Sequence, residues 1–242
     1  MIKKAPTLAD YYTRVANIPF YGGRLCEVLK CYFPYESLAS FYLFGDDSAI
    51  QLLGSSATVC GEIKDSDELV SFCNFCGVTE IFCTDENFKP QNFTQKALYV
   101  MAFCGEENNC EQEKILLREI SPSVLLKMWE GEKSTEELEN AYADLCRRKN
   151  YTNAKCYGLY DGETLVSTAV CMGKNGAEEY LSFVFTKENY RHQNYGKGIV
   201  CAISALDPEV CTYLTCEENL ISFYEKCGFQ LQEKQYYLKK GI

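Results

Sequence analysis

Apolar positions in this chain recur with two different periods, and the changes of period mark its elements. In SFYLFGDDSAIQLLG (40–54), two apolar stretches flank a Gly-Asp-Asp turn, which predicts a hairpin. KDSDELVSFCNFCG (64–77) switches to helical spacing. Asp65 stands as an N-cap with Glu68 three residues on, and Gly77 suits the stop. VTEIFCT and KALYVMAFCG follow as strands, and the acidic, aperiodic GEENNCEQE (Gly105–Glu113) predicts a domain boundary. Beyond it, KILLREI reads as a strand and Ser121 to Lys149 as helical material, with Ser134 and Glu137 forming a capping-box pair. CYGLYDGETLVSTAVCMG is a hairpin around Asp161-Gly162. Strand EYLSFVFT, a polar turn, helix GKGIVCAISAL, strand VCTYLTC, helix NLISFYEKCGF and strand QEKQYYLKK complete the chain.

This ββ-then-βαβαβ order predicts a mixed α/β (α+β) sheet in which EYLSFVFT and VCTYLTC run parallel through a crossover helix. The expected domains are 1–112, a smaller α/β domain, and 113–242. The two hairpins share spacing and aromatic content, so the first domain could be a degenerate copy of the second. It has no counterpart of the glycine-bearing turn.

That turn carries the candidate chemistry. VFTKENYRHQNYGKG (184–198) passes from strand to helix through Arg191 and His192, the single histidine, and places no carboxylate between Gln193 and Gly198. Free amides at a helix N-terminus favour an anionic group, and glycines let it approach the backbone. The pattern Q-x-x-G-x-G over Gln193, Gly196 and Gly198 is weak alone, since such a turn can be only a turn.

Its surroundings add specificity. Val184, Thr186, Tyr190, Arg191, Gln193, Tyr195 and Gly196 read V-x-T-x-x-x-Y-R-x-Q-x-Y-G, NLISFYEKCGF follows with Asn219, Tyr224 and Gly228-Phe229, and ILLREI precedes. Together these resemble the acyl-CoA-binding segments and first strand of the GNAT superfamily of N-acyltransferases over about residues 113 to 242. If Arg191 opens the family's R-x-x-G-x-G/A turn, Asn194 stands where glycine is usual, and Asn tolerates the left-handed conformation. If Gln193 opens it, Gly196 and Gly198 are the glycines.

The resemblance implies a mostly antiparallel sheet flanked by helices and direct transfer from acetyl-CoA, the co-substrate, to an amine of a small molecule or peptide. It implies that backbone groups of Val184, Phe185 and Thr186 hold the pantetheine arm and polarise the thioester. Residues Arg191, His192, Gln193, Asn194, Tyr195, Gly196, Lys197 and Gly198 would cradle the pyrophosphate, with Asn219 nearby. Tyr224 would protonate the departing sulfur, or simply pack its helix on the sheet. Many family members carry a glutamate where this chain has Ser182. Glu178, four residues earlier on the same strand face, is the candidate base, or a solvated turn residue. Trp129 or Tyr142 could wall the acceptor pocket. Loss of the glutamate also leaves open a CoA-binding sensor or interaction module without catalysis. A third option is O-acyl or aminoacyl transfer by two related halves.

Composition narrows this further. With 47% hydrophobic residues there is material for packed cores, and a net charge of −10 argues against nucleic acid or anionic membrane as partner. No leader-like run or membrane-length apolar stretch is visible, which points to the cytoplasm. The fifteen cysteines read as reduced thiols serving as small hydrophobes, and the lone CxxC, Cys73 and Cys76, as helix packing rather than metal or redox chemistry. No metal is expected.

Overall fold

Strand-forming and helix-forming segments of the first half recur in the same order in the second. The computed structural model describes residues 1–33, 37–103 and 115–241. In chain order come β1 (Ile2–Lys4), α1 (Leu8–Val15), α2 (Gly22–Tyr32), β2 (Ala39–Phe44), β3 (Ser48–Leu53), β4 (Ser56–Cys60), α3 (Ser66–Phe75), β5 (Glu80–Cys83) and β6 (Phe93–Phe103). Then follow β7 (Ile115–Ile120), α4 (Pro122–Leu126), α5 (Thr135–Thr152), β8 (Lys155–Asp161), β9 (Thr164–Asn175), β10 (Glu178–Thr186), α6 (Tyr195–Ser204), β11 (Cys211–Cys216), α7 (Ile221–Lys226) and β12 (Gln230–Lys240). The run β-α-α-β-β-β-α-β therefore appears twice, from β1 to β5 and from β7 to β11, and the two similar hairpins fall at the same place in it.

The chain forms two units. The first contains Met1–Val100, Cys216–Glu218 and Gln232–Ile242; the second contains Met101–Thr215 and Asn219–Leu231. The expected boundary stretch, Gly105–Glu113, lies outside the described residues. At the carboxy end the division departs from 113–242, because β12 pairs antiparallel with β5 from Tyr236↔Cys83 to Lys239↔Glu80.

In the first unit β1 to β4 are consecutive antiparallel neighbours, and β4 and β5 run parallel with α3 as their crossover. Its core has two parts, one on each face of the strands. Tyr11, Val15, Leu25 and Leu29 of α1 and α2 pack with Phe41, Ala49 and Cys60. Leu69 and Cys73 of α3 pack with Ile50, Val59, Ile81 and Leu238. Alternation along β3 divides Ala49 from Ile50 in this way. Cys73 of the CxxC is thus a core side chain.

The second unit orders β7, β8, β9 and β10 as antiparallel neighbours, with β11 parallel to β10. On one face Leu125, Leu126 and Leu145 pack with Ile120, Val170 and Met172. On the other, α6 packs on β9 and β10 and buries Ile199, Val200 and Ile203. The Ser134–Glu137 capping box opens α5. Twelve of the described cysteines are free, whereas Cys211 is disulfide-bonded, against the expectation that all are reduced. No helix among the described residues is long and apolar enough to cross a membrane.

Candidate functional site

Regular pairing breaks down on both sides of β10, and the site forms there. Against β9 the register runs Ser182↔Val170 and then Phe185↔Thr168, one residue more on β10, which is a β-bulge. Phe183 inside it takes a φ of 50°. Against β11 the parallel register covers only Glu178–Tyr180 with Cys211–Tyr213. Beyond Tyr180 the two strands share no register pair, so the β11-facing backbone edge of Val184, Phe185 and Thr186 lies outside that ladder.

The chain then turns into α6 through two left-handed residues, His192 (φ 62°) and Asn194 (φ 65°). Asn194 is the residue before the helix, its side chain makes no capping bond, and the first turn holds no acidic residue. The conformation considered for Asn194 from the Arg191 frame is the one observed. The amides of Tyr195, Gly196 and Lys197 have no carbonyl four residues back within the helix. The Gly198 amide donates to the Asn194 carbonyl at 2.7 Å, so it leaves the expected cradle. At Gly196 a Cβ would sit 3.1 Å from Thr186 Oγ1 and 3.5 Å from the Phe223 ring. This glycine lets the helix start close against the end of β10 and against α7. Ser167 and Thr186 add a hydroxyl pair at 2.6 Å.

Side chains of the turn are aimed differently from the sequence expectation. Arg191 Nε donates to the Thr186 carbonyl at 3.1 Å, its guanidinium lies 5.6 Å from the Phe185 ring centroid, and Nη2 is 3.8 Å from Glu132. Its charge is directed back along β10, and the Thr186 carbonyl already has a donor. Gln193 donates its side-chain amide to the Asn189 carbonyl, and His192 is exposed. Tyr195 O–H donates to Asp161 at 2.6 Å, and that bond holds its phenol above the ordinary value. Lys197 is half-buried.

Tyr224 is buried, its ring 5.0 Å from Phe223 and 5.9 Å from Phe229. Because Phe223 also reaches the Gly196 position, the structure brings α7, the first turn of α6 and the end of β10 together. Asn219 lies exposed before α7. Glu178 sits at the closed end of the strand pair, in register with both Asn175 and Cys211. Four residues of strand, roughly 13 Å, separate it from Ser182. To act directly on an amine beside the bulge, Glu178 would have to span that distance.

The opposite face of β10 is aromatic. The Trp129 ring is 4.8 Å from Phe185 and 5.9 Å from Phe183, whereas Tyr142 points to solvent on α5. Sequence reasoning missed the bulge, the Tyr195–Asp161 bond and the Ser167–Thr186 pair. Only the Asp161-Gly162 turn had a readable signal.

Residues 152–231 match the family model described as an acetyltransferase (GNAT) domain. No curated protein sequence matches the chain. Among solved structures, a functionally unknown conserved protein from Staphylococcus epidermidis ATCC 12228 has a TM-score of 0.63 at 12% identity, covering 83% of this chain and 94% of its own. A GCN5-related N-acetyltransferase-like protein from Streptococcus suis 89/1591 has 0.60 at 15%, over 97% and 100%. A tandem GNAT protein from the clavulanic acid biosynthesis pathway has 0.60 at 10%, over 98% of both chains. At these identities the likeness is one of fold, and the tandem protein agrees with the doubled element order.

Proposed function

We propose that the second unit, whose residues 152–231 match the GNAT acetyltransferase model, transfers an acetyl group from acetyl-CoA to a primary amine of a small molecule or peptide, in the cytoplasm. The observation that carries this reading is the conjunction of an uncapped, acid-free start of α6 with the opening between β10 and β11. Acetyl-CoA fits both parts. The free amides of Tyr195, Gly196 and Lys197, with the helix dipole behind them, would hold its pyrophosphate, while the unladdered edge of Val184 and Phe185 would take the pantetheine amides. The thioester supplies the activated acetyl group when bound.

The chain's own residues have limited tasks. A backbone N–H beside the bulge polarises the acyl carbonyl. The Tyr224 phenol donates its proton, or a hydrogen bond, to the departing sulfur. Acceptor recognition falls to the aromatic face of Trp129, Phe183 and Phe185. The missing carboxylate at Ser182, with Glu178 at the closed end, favours one second reading, a CoA-binding module without turnover.

Titration of the purified protein with CoA and acetyl-CoA, followed by thermal shift, tests the site, and no shift with either would overturn it. Release of free CoA thiol across a broad amine panel separates the readings. The transferase releases thiol and loses most of the rate in Tyr224→Phe; the module binds CoA and releases none.

A further inference from the structure

An amine acceptor must shed its ammonium proton before it attacks, and neither Ser182 nor Glu178 places a carboxylate where that happens. What the structure does place there is a pair of hydroxyls. The last parallel register pair of β10 and β11 is Tyr180↔Tyr213. Just beyond it, Tyr180 Oη lies 3.0 Å from Thr215 Oγ1. Thr215 is two residues past Tyr213, and Ser182 two past Tyr180, so alternation sets all four side chains on one face. That face also carries Phe183 and Trp129, which share its apolar cluster with Tyr180. The Tyr180 ring is steadied by the Tyr213 ring at 5.1 Å. Both hydroxyl-bearing residues are half-buried, so the bond spans the two strands at the point where they separate, within reach of solvent.

We propose that the Tyr180–Thr215 hydroxyl pair anchors the water that receives the acceptor's proton, and that the natural acceptors are therefore weakly basic amines, such as the α-amino group of an amino acid or peptide. This rests on the reading of the second unit as an amine acetyltransferase. In the step, the N–H bond of the ammonium breaks with its electron pair left on nitrogen. The proton passes to the anchored water, which releases one to bulk solvent, so no further reactant is needed. Tyr180 is a positioning residue in this scheme.

The chemistry sets the acceptor class. On this face of β10 and β11 the other titratable groups are Tyr213 and Glu178, with Tyr160 and its stacked Arg118 on neighbouring strands and Glu132, paired with Arg191, beyond Phe185. None provides a strong base near pH 7 at the opening. A hydroxyl-held water accepts a proton poorly from a strongly basic amine. An α-amino group with an ordinary pKa of about 8 is roughly one-fifth neutral near pH 7.4, whereas a lysine ε-amine near 10.4 is neutral only about one part in a thousand. The discrimination available from this difference alone is roughly 200-fold.

The test pairs two peptides, one with a free N-terminus and no lysine, the other N-terminally blocked with one lysine. Thiol release from acetyl-CoA is followed from pH 6 to 10 for the wild type, Tyr180→Phe and Thr215→Val. For the wild type, kcat/KM should favour the α-amine about 100-fold or more near neutrality and rise to a plateau at each amine's own pKa. Tyr180→Phe and Thr215→Val should each lower kcat about 100-fold near neutrality with KM little changed, and recover as pH passes the amine's pKa. A loss equal at every pH, accompanied by a lower Tm or weaker CoA binding, would mean a strut between strands and would overturn the proposal. Equal preference for both peptides, or a limb at one pKa common to both, would do the same. If wild type turns over while both variants match it, only the hydroxyl pair is refuted. If wild type binds no CoA or releases no thiol with any amine, the underlying transferase reading fails as well.

Discussion

Helices α3 and α6 hold the same place in the doubled element order, each crossing between parallel strands, yet their N-termini differ in every respect that matters to an anion. At α3 the Asp65 carboxylate accepts from the Glu68 amide at 2.8 Å, and Asp67 and Glu68 add negative charge to the first turn. The flanking strands stay zipped, with β5 in register along its whole length from Ser56↔Glu80 to Val59↔Cys83. At α6 no side chain caps the amides, no acid stands in the first turn, and the strands part after three pairs. One fold position is thus a stable helix end in the first unit and a candidate binding site in the second. Binding capacity at such a position depends on whether the orphan amides are already claimed and whether the strand pair opens, and the fold specifies neither.

The strongest way to break this comparison is to count ligands. Calorimetry should give one CoA per chain, and Gly196→Pro should weaken it by roughly 100-fold or more, since proline deletes a cradle amide and its ring meets Thr186 and Phe223. Two CoA per chain would erase the distinction between the units. Lys197→Glu makes α6 resemble α3, and affinity should fall roughly tenfold at low salt, with the deficit narrowing as salt is raised. Asp65→Ala should cost about 1 kcal/mol in denaturant unfolding without creating a second CoA site.

The smallest effect concerns a capped end inside the second unit. The Ser134 amide, then Lys133 and the Ser134 hydroxyl, hold the exposed Glu137 carboxyl down to about 2. Its folded-state value lies below the unfolded one, so its contribution is present above the ordinary carboxylate range and fades as pH drops toward 2. The stability gap between wild type and Glu137→Gln should therefore be visible at pH 6, shrink below the ordinary carboxylate range and close only as pH falls to about 2.

Local rules made part of this legible. Asp65 with Glu68, Ser134 with Glu137, and both glycine hairpins encode their structure within four residues or so, and each was readable. α1 and α2 were not. Helix α2 begins with Gly22-Gly23 after Phe20 at φ 60°, a poor start by propensity. The reason lies elsewhere in the fold, because a Cβ at Gly22 would collide with the Val15 carbonyl. Strand β4 follows β3 through the two-residue Gly54-Ser55 turn, a hairpin signal that went unread. In the site, the glycine turn and Asn194 could be found, but every residue of SFVF suits a strand, so nothing in their types reveals the bulge. The Tyr180–Thr215 bond joins residues 35 apart and exists only once two strands align. The contacts of Arg191 with the Thr186 carbonyl, the Phe185 ring and Glu132 likewise have no local sequence signal.

The grouping of β12 with the first unit bears on how the protein is made. A ribosome releases the strands, helices and turns of the second unit before it releases Tyr236 to Lys239, the partners of β5. The unit that begins the chain is therefore the one finished last, and until then β5 waits with an unpaired edge, the kind of surface that recruits wrong partners during synthesis. A stop codon placed after Leu231 would leave the candidate site's residues intact and still expose the nascent protein to that hazard permanently.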